Sequence, residues 1–67
     1  MNRIGDKIKE IREQKNLSQT ELAHKSGVSR TIIVGLETGN IKTTTTTTLL
    51  KISKALNVKV QDIFLEN

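Results

Sequence analysis

The chain of 67 residues is long enough for one small domain and leaves little room for a substrate pocket. It has no cysteine and no long apolar run, which excludes disulfides, thiolate metal sites, a signal peptide and a membrane span, and fits a reducing cytoplasm. Eleven lysine and arginine residues against seven aspartate and glutamate residues give a net charge of +4, which favours a polyanionic partner.

The first predicted element is an amphipathic helix. Ile4, Ile8 and Ile11 recur at helical spacing, and charged residues occupy the other faces. The pattern predicts a helix from about Arg3 to Lys15.

Two short helices joined by a tight turn are predicted next, within a motif at about residues 18–38. Ser18 is followed three residues later by Glu21, a capping box that opens the first of these helices. Ser29 can cap the second, and Gly27 lies between them. The side chains expected to face a common core are Leu22, Ala23, Val28, Ile33 and Leu36.

The last third of the chain predicts a fourth helix from Thr45 or Thr46, and a short fifth helix that includes Val60. Because β-branched residues enter helices unfavourably, the six threonines at 43–48 should begin as a loop. That run is either a linker with a redundant cap or a set of hydroxyls and amides that bind the phosphate groups of a polyanionic partner. Residues 1–67 thus predict a single all-α domain, a compact five-helix fold with a helix-turn-helix.

A resemblance to a known family rests on the motif and on stretches along nearly the whole chain. Gln19, Ala23 and Gly27 follow the pattern Gln-x-x-x-Ala-x-x-x-Gly, and the chain resembles the DNA-binding domains of phage repressor and Cro proteins, the Xre-like family. Further matching stretches are Leu17 to Ala23, Gly27 to Ser29, Glu37 to Gly39, Leu49 to Val58 and Asp62 to Phe64. The resemblance implies a transcriptional regulator, a repressor that binds a palindromic double-stranded operator as a homodimer.

Base contacts are expected from the face of the second motif helix that points away from Ile33 and Leu36. Arg30 can bind guanine, bind a phosphate or remain solvated. Thr31 can bind adenine or a phosphate, and Val34 can contact a thymine methyl group. By resemblance, Gln19 contacts a phosphate or the base at the end of the half-site. The residues predicted to contact bases are Gln19, Arg30, Thr31, Val34 and Gly35.

Gly35 is unusual because glycine destabilises a helix by about 1 kcal/mol relative to alanine. Its presence predicts that the backbone closely approaches either DNA or a neighbouring turn.

The second motif helix is the predicted recognition helix, the one that enters the major groove. Phosphate contacts are predicted at Ser18 and, in the loop after this helix, at Asn40, Lys42 and Thr43. The alternative for Lys42 is a solvated side chain without a DNA contact. Arg12 and Glu37 match a family pair, which implies a partly buried ion pair between the first helix and the recognition helix. A dimer interface is predicted near the C-terminus, where apolar residues exceed what one short helix can bury. These residues are Val58, Val60, Ile63, Phe64 and Leu65.

No enzyme, cofactor, metal site, small-molecule ligand or membrane partner is predicted. His24 is the single histidine, the carboxylates are dispersed, and no glycine-rich phosphate loop is present. Phe64 is the single aromatic residue, which disfavours base stacking on single strands or RNA. One alternative function is a controller or activator of a restriction-modification system. The other is an antitoxin-like interaction module. The module is disfavoured because such proteins often add a segment that binds the partner, and only three residues follow Phe64. A cytoplasmic protein at the nucleoid, bacterial or phage-encoded, is expected.

Overall fold

The structure is a computed structural model that describes residues 4–64, and all regular elements in that range are helices. In chain order they are α1 (Ile4–Gln14), α2 (Gln19–Ser26), α3 (Arg30–Thr38), α4 (Thr46–Leu56) and α5 (Val60–Phe64). The predicted all-α fold with five helices is confirmed. Helix α1 ends at Gln14, one residue before the predicted end, and Arg3 lies outside the described residues.

The helices of the motif begin at the predicted caps. Ser18 Oγ accepts a hydrogen bond from the Glu21 N–H at 2.9 Å, and the Glu21 carboxylate accepts one from the Ser18 N–H at 2.8 Å. Ser29 Oγ accepts from the Ile32 N–H at 3.2 Å and opens α3. Each cap satisfies donors that have no partner inside the helix, and such caps typically contribute about 1 kcal/mol.

A left-handed glycine makes the tight turn of the motif. Gly27 ends α2 with φ of 74°, a conformation that side chains with a Cβ rarely adopt, and its N–H donates to the Ala23 carbonyl at 2.9 Å. Val28 follows and is buried in the core. Only residues 27–29 separate α2 from α3, so the two helices are held at a fixed relative position.

The threonine run begins in a loop and then enters α4, as the sequence predicts. Thr45 is the N-cap of α4, and its Oγ1 accepts a hydrogen bond from the Thr48 N–H at 3.1 Å. Thr43 and Thr44 precede the helix. The cap therefore stabilises a first turn whose threonines favour a helix poorly.

One core holds the helices together. Helix α1 packs on α3 and α5, α2 packs on α3 and α4, and α4 packs on α5. Helix α3 therefore lies between α1 and α2, and one of its faces remains free. The buried apolar side chains are Ile8, Ile11, Leu22, Val28, Ile33, Leu36, Leu49, Ile52, Leu56 and Ile63.

Gly5 allows α1 to lie directly against the backbone of α3. A Cβ atom at this position would lie 1.7 Å from the Leu36 carbonyl oxygen and 2.4 Å from its carbon. These are backbone atoms, which cannot rotate away as a side chain can. The residue at position 5 thus sets the distance between the two helices.

Candidate nucleic-acid interface

Helix α3 presents one polar face to solvent and buries the other. Arg30, Thr31 and Thr38 are exposed, whereas Ile33 and Leu36 are almost completely buried. Its Ser29 cap keeps the first turn ordered. An α-helix with its side chains is roughly 10–12 Å across, which matches the roughly 12 Å width of the major groove.

The charge of Arg30 is not neutralised within the described part of the chain. Among residues 4–64, the acidic side chains that form ion pairs are bonded to other cations, and none is bonded to Arg30. Its five donors are therefore available to an external acceptor.

Gly35, one of the predicted base contacts, is buried against the loop of its own chain. A Cβ atom at position 35 would lie 2.5 Å from Ile41 Cδ1 and 2.6 Å from Ile41 Cγ1. The Gly35 carbonyl also accepts a hydrogen bond from the Ile41 N–H at 2.9 Å. The sequence predicts that the backbone at this glycine closely approaches either DNA or a neighbouring turn. In the structure it approaches the turn that carries Ile41.

Arg12 and Glu37 form an ion pair between α1 and α3. Arg12 Nε donates to Glu37 Oε2 at 2.8 Å, and Nη2 donates to Oε1 at 3.0 Å. Both residues are buried, with 8% and 6% of their surface exposed. Arg12 Nη1 also donates to the Leu17 carbonyl at 2.6 Å. The hydrogen bond to Glu37 raises the pKa of Arg12 above its ordinary value, so the guanidinium stays charged.

Gln19 joins this ion pair from the first turn of α2. Its Nε2 donates to Glu37 Oε1 at 3.0 Å, so one carboxylate on α3 accepts bonds from α1 and α2. The second N–H and the oxygen of the Gln19 amide are not used by this contact, and the residue is half-buried. From the sequence, Gln19 and the ion pair were predicted as separate features. Their connection depends on the packing of three helices.

Ser18 can contribute less to a phosphate contact than expected. Its N–H is already bonded to the Glu21 carboxylate, so only its hydroxyl proton remains for an acceptor. The hydrogen bond from the Ser18 N–H lowers the pKa of Glu21, and the hydrogen bond with the Ser18 side chain lowers it further by a smaller amount. An exposed anion therefore stands at the start of α2, beside the predicted phosphate contact.

The loop after α3 carries the other predicted phosphate contacts. Asn40, Lys42 and Thr43 are all exposed. Between the first two, Ile41 lies against Gly35 and fixes the loop on the flank of α3. The loop therefore presents one positive charge, that of Lys42, beside the exposed face of the helix.

The predicted dimer surface needs one correction. Ile63 is 2% exposed and belongs to the core of its own domain, so it cannot contact a second copy. Val58 and Val60 are half-buried against the same core, and Leu65 lies outside the described residues. Phe64 is 48% exposed. Leu50 on α4 is also exposed, at 46%, and was not predicted from the sequence as part of this surface.

Residues 4–64 contain neither a candidate metal site nor a helix that could span a membrane. No three histidine, aspartate or glutamate side chains in this range come together as a metal site would require. His24 is exposed on α2. Within the same range, every helix is too short or too polar to cross a bilayer.

Comparisons with known proteins agree with the geometry. A protein-family model described as helix-turn-helix matches residues 8–63. The chain is 40% identical over 62 residues to an uncharacterised HTH-type transcriptional regulator of Methanocaldococcus jannaschii, covering 92% of each protein. It is 41% identical over 59 residues to another from Archaeoglobus fulgidus, covering 88% of this chain and 82% of that protein.

A solved structure superimposes on most of the fold. It is the crystal structure of SinR, described as the master regulator for biofilm formation, in complex with DNA. The TM-score is 0.90 with 32% sequence identity, and the match covers 92% of this chain and 98% of that chain.

Proposed function

The chain belongs to the helix-turn-helix family of DNA-binding transcriptional regulators, and from this premise we propose that it is a repressor that binds a palindromic operator as a homodimer. The family is a class of DNA-binding proteins and not of enzymes. We therefore propose no catalytic activity, and we propose that the protein acts at the nucleoid in the cytoplasm. The similar SinR structure was determined with DNA bound, which supports the same class of partner here.

The exposed face of α3 is the observation that carries this proposal. Its apolar side is buried, while Arg30 and Thr31 remain exposed beside a loop that presents Lys42. In the proposed complex α3 enters the major groove, and Arg30 donates two hydrogen bonds to guanine O6 and N7. Lys42 and its loop bind the flanking phosphates. The Gln19 amide, held by Glu37, contacts the end of the half-site.

Arg30→Ala and Lys42→Ala should weaken binding in different ways. The duplex is one that the full-length protein selects from a random library. We expect Arg30→Ala to lose about 1–3 kcal/mol on this duplex and little on a scrambled one, because bidentate guanine contacts discriminate by that amount. Lys42→Ala should weaken both, and should flatten the dependence of log affinity on log salt by nearly one unit per lost contact.

Titrations of both variants at several salt concentrations test this assignment. Lys9→Ala removes an exposed lysine of α1 that is not among the proposed DNA contacts, and should change neither affinity nor salt slope. Equal weakening of both duplexes by Arg30→Ala would make Arg30 a phosphate contact and would overturn its role in specificity. Absence of any duplex binding by the wild-type protein would overturn the proposed function.

The proposed dimer uses exposed apolar surface near the C-terminus. The longest principal extent of the fold is 28 Å, which is comparable with the roughly 34 Å between major grooves one helical turn apart, so we propose that two copies lie side by side on successive half-sites. Leu50 and Phe64 are the large apolar side chains that stay exposed in the described part of the chain. A two-fold interface would bury each of them twice.

Phe64→Ala is expected to weaken the dimer about 30-fold. Covering the exposed half of the ring contributes roughly 1 kcal/mol per subunit, and the two-fold symmetry doubles this value. Sedimentation of free protein and of protein on the palindromic duplex measures the effect. The control is Gln61→Ala, which truncates an exposed polar side chain on the same helix and should leave the dimer intact. A wild-type monomer in both samples would contradict the dimer.

A further inference from the structure

A small cleft lies beside the exposed face of α3. The apolar part of its lining consists of Val34 and Gly35 on the helix and Ile41 on the loop that follows. The polar residues that complete the lining are Arg30, Thr31 and Asn40. The cleft therefore combines an apolar surface with hydrogen-bonding groups, on the side of α3 that faces away from the core.

Gly35 makes this arrangement possible. A Cβ of residue 35 would lie 2.5 and 2.6 Å from Ile41 Cδ1 and Cγ1, so the Ile41 side chain would have to leave its present position if residue 35 carried a side chain. The hydrogen bond from the Ile41 N–H to the Gly35 carbonyl holds the loop there. An isoleucine from outside the recognition helix is thus carried into the same cleft as Val34.

Both apolar side chains are half-buried, so part of each still faces solvent. In the major groove, the apolar group that a base pair presents is the C5 methyl of thymine. 5-Methylcytosine carries the same group at the same position. We propose that Val34 and Ile41 together form a receptor for the C5 methyl group of one pyrimidine in the operator. This inference rests on the proposed function, because it requires that α3 enters the major groove.

Removal of single methyl groups from DNA tests the proposal. The probe is the duplex that the full-length protein selects, with each thymine replaced in turn by uracil. We expect one thymine per half-site to show a loss of about fourfold for each methyl group removed, the equivalent of the roughly 0.8 kcal/mol of one buried methyl-sized group. At that position, 5-methylcytosine should bind about fourfold more tightly than cytosine in the same sequence.

Protein variants assign the effect to the cleft. Val34→Ala and Ile41→Ala should each bind the thymine and uracil duplexes with nearly equal affinity. Ile41→Val, a milder change that keeps the fold, should show an intermediate ratio. The matched control is Ile32→Val, since Ile32 is also half-buried on α3 but packs on the core and does not line the cleft. It should keep the full thymine preference.

The outcomes separate this inference from the proposed function. A methyl preference that both alanine variants lose supports the cleft. Specific binding without any methyl-sensitive thymine overturns the cleft and leaves the proposed function intact. A preference that survives Ile41→Ala also overturns it, because Val34 would then act alone. Failure of the wild-type protein to select any duplex overturns the proposed function itself.

Discussion

Gly5→Ala should destabilise the domain by about 3 kcal/mol or more. The added methyl group would lie 1.7 Å from the Leu36 carbonyl oxygen, so α1 must move away from α3. Inserting a methyl group into a packed interior typically costs about 1–3 kcal/mol, and here backbone atoms must give way. That loss exceeds the roughly 1 kcal/mol that alanine gains in helix propensity. A domain of 67 residues has roughly 3–10 kcal/mol of stability in total, so a large part would be lost.

Urea denaturation followed by circular dichroism measures this effect on the full chain. Lys9→Ala is the control, because it puts alanine at an exposed position of the same helix and should change stability by less than about 0.5 kcal/mol. A Gly5→Ala protein as stable as the wild type would show that α1 and α3 do not pack at the described distance.

Glu37→Ala should lower the free energy of unfolding by about 3–5 kcal/mol. It leaves the Arg12 guanidinium buried without its counter-ion, and such an uncompensated charge typically costs that amount. The Gln19 amide loses its acceptor as well. The control is Glu13→Ala, which removes an exposed carboxylate 3.9 Å from the same guanidinium and should cost less than about 1 kcal/mol.

A double variant separates the structural role of the pair from its role at DNA. Arg12→Met with Glu37→Leu removes both charges and keeps apolar volume, so most of the lost stability should return. Affinity for the selected duplex should remain reduced, because nothing then holds the Gln19 amide. Urea titration and DNA titration of the same preparation measure the two effects. Full recovery of affinity with stability would contradict the positioning of Gln19 by Glu37.

The helix boundaries could be predicted from the sequence because they depend on neighbouring residues. Ser18 and Glu21 form a capping box through groups three residues apart, and Ser29 caps α3 in the same local way. Gly27 adopts the left-handed conformation that ends α2. The apolar pattern also indicated the core, since its period shows which side of each helix is buried.

The contacts between distant residues could not be predicted in the same way. Position 5 meets Leu36 only after α1 and α3 have packed, and Ile41 reaches Gly35 through a turn whose path the pattern does not define. Ile63 is buried in the core of its own domain and not on a dimer surface. The sequence pattern of an apolar residue on a short helix is the same whether that residue contacts its own core or a partner. A register count along α4 would have placed Leu50 off the buried face.

Under the proposed function, the division of α3 into two faces makes the domain a scaffold whose target sequence can be changed. Positions 30 and 31 lie on the surface, so their side chains can be varied in a library with little effect on folding. Positions 33, 36 and 37 must stay fixed, since they hold the helix in the domain. Position 35 must stay glycine as long as Ile41 occupies the adjacent space. We therefore expect that proteins with new DNA sequence preferences can be selected from a library at a few codons.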